Sequence, residues 1–309
     1  MEEKIKISML LEIYGKLLTD KQYNLLDDYY NNDLSLSEIA ENNDITRQAV
    51  RDILKKNEVK GYETYALVTG AASGMGRIYA LRLAEMGYNV VLVDINASGL
   101  EETAGLLKKD YPMCRVLSLV QDLSLSDAAD RIFEATQKEG CVVEVLVNNA
   151  GVMYCQGIAQ TSERMLKLIM AVHMTTPLML CRKYVVGMKE RGCGYILNIS
   201  SLAECMNWPG IGMYGSTKRF VKDYSRELRI ECRKTGVSVT NAYFGAVDTP
   251  LIPIRPGLKK LARSLAVMIS PEKAVDKALK VLVEKGLIEK YHRHTNAGDY
   301  GSNVYKLKL

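Results

Sequence analysis

Tyr65-Ala66-Leu67-Val68-Thr69-Gly70-Ala71-Ala72-Ser73-Gly74-Met75-Gly76 is the stretch on which the reading of the fold turns. A short apolar run ends in a cluster of glycines, and an amphipathic stretch begins directly after them. That order predicts strand, tight turn, helix. Glycines at such a turn let the backbone approach a pyrophosphate, and the helix start adds oriented N–H groups and a positive dipole. A plain βα turn is the other reading of the same glycines.

Outward from this unit the pattern repeats. Strands are predicted at 65–69, 89–94, 114–120, 142–148, 195–200 and 237–243, with helical stretches near 75–87, 97–110, 125–139, 162–191, 212–235 and 271–285. Regular alternation of this kind predicts an α/β fold, a doubly wound, Rossmann-like parallel sheet whose ligand lies beyond the carboxyl ends of the strands. Residues 1–61 read instead as helix, with apolar positions such as Leu10, Leu11, Tyr14, Leu17 and Leu18 at helical spacing. The expected organisation is therefore a helical segment over 1–61, an α/β domain over 62–286 and an extension over 287–309.

Charge and cysteine usage narrow the classes. The net charge is +5, too mild to argue for nucleic acid by itself, and residues 1–62 carry nine Lys/Arg against twelve Asp/Glu. Seven scattered cysteines without a Cys-x-x-Cys pair predict free thiols in a reducing cytoplasm and no metal site. Met1 is followed by Glu2, Glu3 and Lys4, so no signal peptide is read there. No apolar run reaches the roughly 18–20 residues that span a bilayer.

Two groups of residues carry candidate chemistry. Asp94 ends the second predicted strand, where a carboxylate can accept from the adenosine ribose hydroxyls. No Arg or Lys stands at Ser73, Ile95 or Asn96 to offset a 2′-phosphate, so NAD is favoured over NADP. Asp122 and Leu123, just past the third strand, are placed to meet adenine, and a surface turn is the alternative. Further on, a predicted strand ends at Ser200-Ser201, and Tyr214 and Lys218 share one face of the helix that follows. An ammonium near a phenol should draw its pKa down from ~10 towards working pH, which suits acid/base work on an alcohol proton. A strand-end hydroxyl can bind the substrate oxygen as charge develops.

With Asn148-Asn149-Ala150-Gly151, a serine thirteen residues before the tyrosine, and Tyr214-x3-Lys218 in this order, about 220 residues resemble the short-chain dehydrogenase/reductase family. The resemblance implies hydride transfer between a nicotinamide and an alcohol or ketone. It selects Ser201 over Ser200 to orient the carbonyl, makes Tyr214 the acid/base, and gives Lys218 the nicotinamide ribose. It also lines the cofactor with Gly70, Ser73, Gly74, Met75, Gly76, Asn148, Asn149, Ala150, Gly151, Gly245, Val247 and Thr249.

Two positions depart from the family. His173 stands where an asparagine usually supports a proton-relay water; it can hold that water or be an interior histidine without a catalytic part. Phe244 replaces the proline before Gly245. Within the family the chain looks like the hydroxysteroid dehydrogenase and 3-oxoacyl reductase branch. Met153, Tyr154, Met206, Trp208 and Met213 offer apolar walls for such a substrate. Helices 162–191 and 212–235 are where the family pairs subunits, so a homo-oligomer is expected.

Leu34 to Ile53 has helix-turn-helix spacing: small Ala40 allows close contact, Asp44 suits a left-handed turn, and Ile45, Val50 and Ile53 close the core. Residues 7–58 resemble the YlxM-like helix-turn-helix proteins, which would turn Thr46, Arg47, Gln48 and Arg51 to a DNA groove. The segment's excess of acid argues against phosphate contact, so DNA binding through residues 34–56 is not favoured over a helical appendage. The tail reads as a β-hairpin, with a winged-helix wing and a last sheet strand as alternatives; His292 and His294 there are expected at the surface. An active oxidoreductase, a nicotinamide-sensing transcription regulator and an inert scaffold are the competing functions. The intact Ser201–Tyr214–Lys218 set favours the first.

Overall fold

The computed structural model describes residues 20–32, 34–50, 64–205, 210–251 and 268–284. Two units divide these residues, one within 20–50 and one from 64 onward. In the first, α1 (Asp20–Tyr30) and α2 (Leu36–Asn42) bury Leu25, Leu26, Ile39, Ala40 and Val50. Ser35 and Glu38 form a reciprocal capping box that satisfies two N–H groups at the start of α2. Asp44 has φ +54°, the left-handed turn expected of it. Leu10 to Leu18, Arg51, Ile53 and the 287–309 extension lie outside the described residues.

The second unit alternates strand and helix throughout. Its strands are β1 (Tyr65–Thr69), β2 (Asn89–Asp94), β3 (Val116–Val120), β4 (Val143–Asn148), β5 (Gly194–Ser201) and β6 (Val237–Phe244). All pair in parallel in the order β3-β2-β1-β4-β5-β6. Between them lie α3 (Gly74–Glu85), α4 (Ala97–Asp110), α5 (Ala128–Lys138), α6 (Glu163–Met170), α7 (Thr176–Arg191) and α8 (Gly212–Glu231). A short pair, β7 (Ala246–Val247) with β8 (Met268–Ile269), and α9 (Pro271–Glu284) follow.

The period-2 geometry of each strand explains why two layers of helices are needed. Ala66 and Val68 of β1 face one core with Tyr79, Leu83, Leu100, Leu107 and Val275, from α3, α4 and α9. Leu67, between them, faces the other core with Ile132, Leu180, Tyr184, Met188 and Val221, from α5, α7 and α8. Truncating any of these leucines to alanine should cost about 2–5 kcal/mol. Strand order reverses at β1/β4, which opens a crevice above their carboxyl ends.

One predicted helix is not continuous. The stretch 162–191 is α6, a π-helical turn at Ala171–Thr175, and α7. Pro177 is the cause that sequence reading passed over: it has no N–H for the carbonyl of residue 173 and its ring crowds that carbonyl. A widened turn relieves both, and it carries His173.

Candidate active site

The glycine turn leaves β1 through Gly70 (φ +69°) and enters α3 at Gly74 (φ +54°), conformations that side chains rarely adopt. At Gly76 a Cβ would lie 1.9 Å from the Gly70 carbonyl oxygen, so the helix can approach the turn only without one. Ser73 is extended, its side chain caps nothing, and the first turn of α3 holds no acidic residue. The first N–H groups of α3 are thus left to an anion, which is the arrangement a pyrophosphate requires. Thr69 ties the turn to the next loop: its Oγ1 accepts from the backbone N of Asn149 (3.0 Å) and of Ala150 (3.1 Å). Asn149 Nδ2 donates back to the Thr69 carbonyl at 2.9 Å.

Asp94 emerges at the carboxyl end of β2 beside this turn. Its Oδ2 accepts from Ala72 N (3.1 Å) and its Oδ1 from Asn96 N (3.0 Å), so the carboxylate braces the glycine loop. Each oxygen keeps a lone pair for a further donor. Arg77 was missed in the sequence; its guanidinium reaches the Ala72 carbonyl, Thr103 Oγ1 (2.9 Å) and Glu102 (2.8 Å). Those acceptors hold it within the protein. Asp122 Oδ1 accepts from Ser124 N at 2.8 Å, while Leu123 is buried and its carbonyl takes the Thr176 hydroxyl.

Ser201 closes β5, its Oγ accepting from Ala203 N at 3.2 Å, and Tyr214 lies in the first turn of α8, near enough for the Ser201 hydroxyl to act on its phenol. Ser200 faces the other way: its hydroxyl donates to Glu204 Oε2 at 2.6 Å inside the protein. Lys218 is buried, donates to the Ile199 carbonyl at 3.0 Å, and has its ammonium 5.8 Å from the centre of the Tyr214 ring. The expected fall in the tyrosine pKa is not what this environment produces. Burial raises the Tyr214 phenol above its ordinary value, and the Ser201 side chain offsets only part of that. Burial likewise pushes Lys218 down to about 8, against the opposing pull of the Glu204 carboxylate.

His173 is 1% exposed, and both of its ring nitrogens have protein partners. Val152 N donates to Nε2 at 2.9 Å, so the ring proton sits on Nδ1 and goes to Thr217 Oγ1, also at 2.9 Å. Thr217 passes its own proton to the Tyr214 carbonyl at 2.8 Å. Burial, with the Lys218 charge, holds the ring well below its usual pKa. In this geometry neither nitrogen is left for a relay water. The ring also stands edge-on to Tyr214 at 5.5 Å.

The remaining residues fall around these two groups. Asn148 turns inward, donating to Asn198 Oδ1 at 2.8 Å, and Asn198 donates to Ser225. Gly151 sits under the His173 ring, where a Cβ would be 3.2 Å from Nε2. Thr249 rests against the glycine turn, its Cγ2 3.3 Å from the position of a Cβ on Gly74. Val247 is buried beside it, and a Cβ on Gly245 would meet only Leu202. Val152, Met153, Tyr154, Ile211 and Met213 pack against Ile169, Ala203 and Tyr214. Met206 and Trp208 lie outside the described residues. Among the described residues no cluster of His, Cys, Asp or Glu could hold a metal ion, and no helix is long and apolar enough to cross a membrane.

An anion-ready glycine turn at the switch point of a doubly wound sheet defines the class of dinucleotide-binding α/β proteins. Within that class the chain belongs to the short chain dehydrogenase family, whose model matches residues 64–255. A second model, a helix-turn-helix protein described as YlxM / p13 like, matches residues 1–68. The very-long-chain 3-oxoacyl-CoA reductase of Mycosarcoma maydis is 30% identical over 229 residues, covering 72% of this chain and 62% of that one. The 17-beta-hydroxysteroid dehydrogenase type 3 of Mus musculus is 31% identical, covering 60% and 61%. A short-chain dehydrogenase from Sphingobium yanoikuyae, solved with NADPH, superposes with a TM-score of 0.64 at 26% identity, covering 72% and 85%. The chain spans about three fifths of the length of the curated relatives named first.

Proposed function

We propose that the second unit is an oxidoreductase that interconverts a secondary alcohol and a ketone, prefers NAD, and acts on an apolar fatty-acyl or steroid-like substrate. The observation that carries this is Tyr214, one helical turn from the buried Lys218 whose ammonium lies 5.8 Å from its ring centre, and walled by apolar side chains. The α3 start from Ser73 to Gly76 would hold the pyrophosphate and Asp94 the adenosine ribose. Asp122 and Leu123 would take the adenine side, and Asn149, Ala150, Gly151, Val247 and Thr249 the nicotinamide side.

A bound nicotinamide supplies or accepts the hydride at the carbinol carbon. For its part, Tyr214 is a phenol at neutral pH, and burial holds it further in that state. That is the state that gives a proton to a ketone oxygen, while the Ser201 hydroxyl donates to the same oxygen and holds it in place. The phenolate left behind faces the Lys218 ammonium, which stabilises it until solvent returns the proton. Oxidation runs the same transfers in reverse. His173, with both nitrogens occupied, serves as a positioning residue that fixes the α8 turn carrying Tyr214.

The negative charge of Asp94 and the internal engagement of Arg77 support NAD. The Sphingobium protein binds NADPH, so cofactor choice is the finer part of this proposal. Relatives named for 3-oxoacyl-CoA and 17-beta-hydroxysteroid chemistry support the apolar substrate class. The test is a panel of 3-oxoacyl-CoA thioesters and steroid ketones, assayed by nicotinamide absorbance with each cofactor. Tyr214→Phe should abolish turnover; a panel in which wild type never exceeds this variant ends the reading.

The N-terminal unit keeps a second reading, DNA contact, favoured by the helix-turn-helix family match and the left-handed Asp44. Thr46 begins the next helical turn by accepting from Ala49 N at 3.1 Å, leaving Arg47 and Gln48 exposed. A salt-dependent gel shift lost in Arg47→Ala would support it, and no shift at low salt would exclude it.

A further inference from the structure

Glu204 is a buried carboxylate that the reaction outlined above does not use. It lies in the 3-10 turn Leu202–Cys205 directly after β5 and is 3% exposed. A charge so placed is costly unless it is paired and hydrogen-bonded. Here every element around it contributes. Ser200 Oγ donates to Oε2 at 2.6 Å, a short charge-assisted bond, and Asn241 Nδ2 of β6 reaches the same oxygen at 3.3 Å. Lys222 of α8 approaches Oε1 at 3.6 Å. The Glu204 carbonyl also accepts from Arg219 Nε at 3.0 Å, which pins the turn to α8.

The Ser200 hydroxyl that binds this carboxylate also lies 3.2 Å from the Lys218 carbonyl oxygen, which brings Glu204 up to the backbone of the second buried charge of the site. The Lys218 ammonium donates to the Ile199 carbonyl, which carries no formal charge. The titratable groups facing Lys218 are Tyr214 and Lys222 on its own helix, His173 on the π-helical turn, and Glu204. Of these, Glu204 is the one carboxyl group. Tyr214 holds its proton, His173 is neutral, and Lys222 repels.

We propose that Glu204 is a positioning residue of the proton-transfer set: it orients the Ser200–Ser201 corner and serves as the buried counter-charge of the Lys218 ammonium. Two consequences follow from the geometry. Holding the Ser200 hydroxyl inward leaves the alternating next residue, Ser201, directed at Tyr214. Supplying negative charge behind Lys218 lets an ammonium persist where burial alone would expel its proton. Burial already brings Lys218 to about 8, so loss of Glu204 would move its titration further towards neutrality.

The decisive experiment is a thermal double-mutant cycle on the full chain: wild type, Glu204→Gln, Lys218→Met and the double variant. At pH 7 the double variant should lose less than the summed losses of the two single variants, by on the order of 5 °C. At about pH 9.5, where Lys218 has lost its charge, the losses should add. Additivity at both pH values would overturn the proposal. This readout needs no turnover, so it stands even if the enzymatic reading fails. Where turnover is measured, which rests on that reading, the alkaline fall of kcat/KM should move about one pH unit lower in Glu204→Gln. Glu204→Asp should restore the limb, and an unmoved limb in the Gln variant counts against the counter-charge role. Should Glu204→Gln not fold, Glu204→Asp replaces it in the cycle. A smaller non-additivity is then expected, and additivity is again the overturning result.

Discussion

His173→Leu separates an interior, neutral histidine from a titrating one. The substitution keeps an apolar side chain of similar bulk but removes both ring hydrogen bonds, those to Val152 N and Thr217 Oγ1. Each is worth about 0.5–1.5 kcal/mol net, and the stranded Val152 N–H adds about 1–3 kcal/mol. The sum is roughly 2–6 kcal/mol, which for a domain of this size lowers Tm by about 4–24 °C. The pH dependence carries the sharper content. The unfolded chain protonates this histidine below about pH 6.5, whereas the folded protein resists until well below that, because burial penalises the cation. The stability it contributes is therefore full above pH 6.5 and drains below it, by up to about 1.4 kcal/mol per pH unit. Leucine has nothing to protonate. Scanning calorimetry of both proteins from pH 7.5 to pH 5 should show a gap that is wide at the top and closes towards acid. A gap that stays constant across that range would refute the doubly bonded, neutral ring.

Two further outcomes follow from the glycine turn and its brace. Gly76→Ala places a Cβ 1.9 Å from a backbone oxygen and 2.7 Å from Asn149 Nδ2, so the turn must move. NADH titration by fluorescence should show affinity falling at least tenfold, with about 1–3 kcal/mol of stability lost; unchanged affinity would mean the dinucleotide lies elsewhere. Asp94→Asn keeps an acceptor for Ala72 N but removes the charge that opposes a 2′-phosphate. The NAD:NADP ratio of kcat/KM should drop on the order of ten- to a hundredfold while Tm stays within a few degrees. An unaltered ratio would detach Asp94 from cofactor choice.

Much of this architecture is legible in the chain because it depends on local periodicity. The six parallel strands were expected within two residues of where they lie, since β-branched apolar runs bounded by turns leave few alternatives. The glycine turn was equally clear, because glycine takes the left-handed backbone at residues 70 and 74 without the strain a side chain brings. Ser201, Tyr214 and Lys218 were named from order, spacing and the family resemblance, and the fold sets Tyr214 and Lys218 on one face of α8, facing the end of β5 that carries Ser201. What the periodicity could not show was the π-helical turn, because Pro177 sits in a stretch otherwise amphipathic enough for one long helix. Nor did anything local mark Arg77, Thr217 or Glu204. A polar residue on a helix or in a short turn reads as solvent-facing until its tertiary partners are known.

The sequence by itself determined the fold class and the position of the glycine turn, since each is written in spacing along the chain, and with the family resemblance it singled out Ser201, Tyr214 and Lys218 as the candidate proton-transfer set. Only the tertiary structure decided the electrostatics. Whether Tyr214 rises or falls from its ordinary pKa depends on how deeply Ile169 and Ala203 bury it and on where the Lys218 ammonium is drawn. Whether His173 can titrate depends on Val152 and Thr217, which come from the loop after β4 and from α8. Burial and charge are sums over neighbours distant in the chain, and no local pattern contains them.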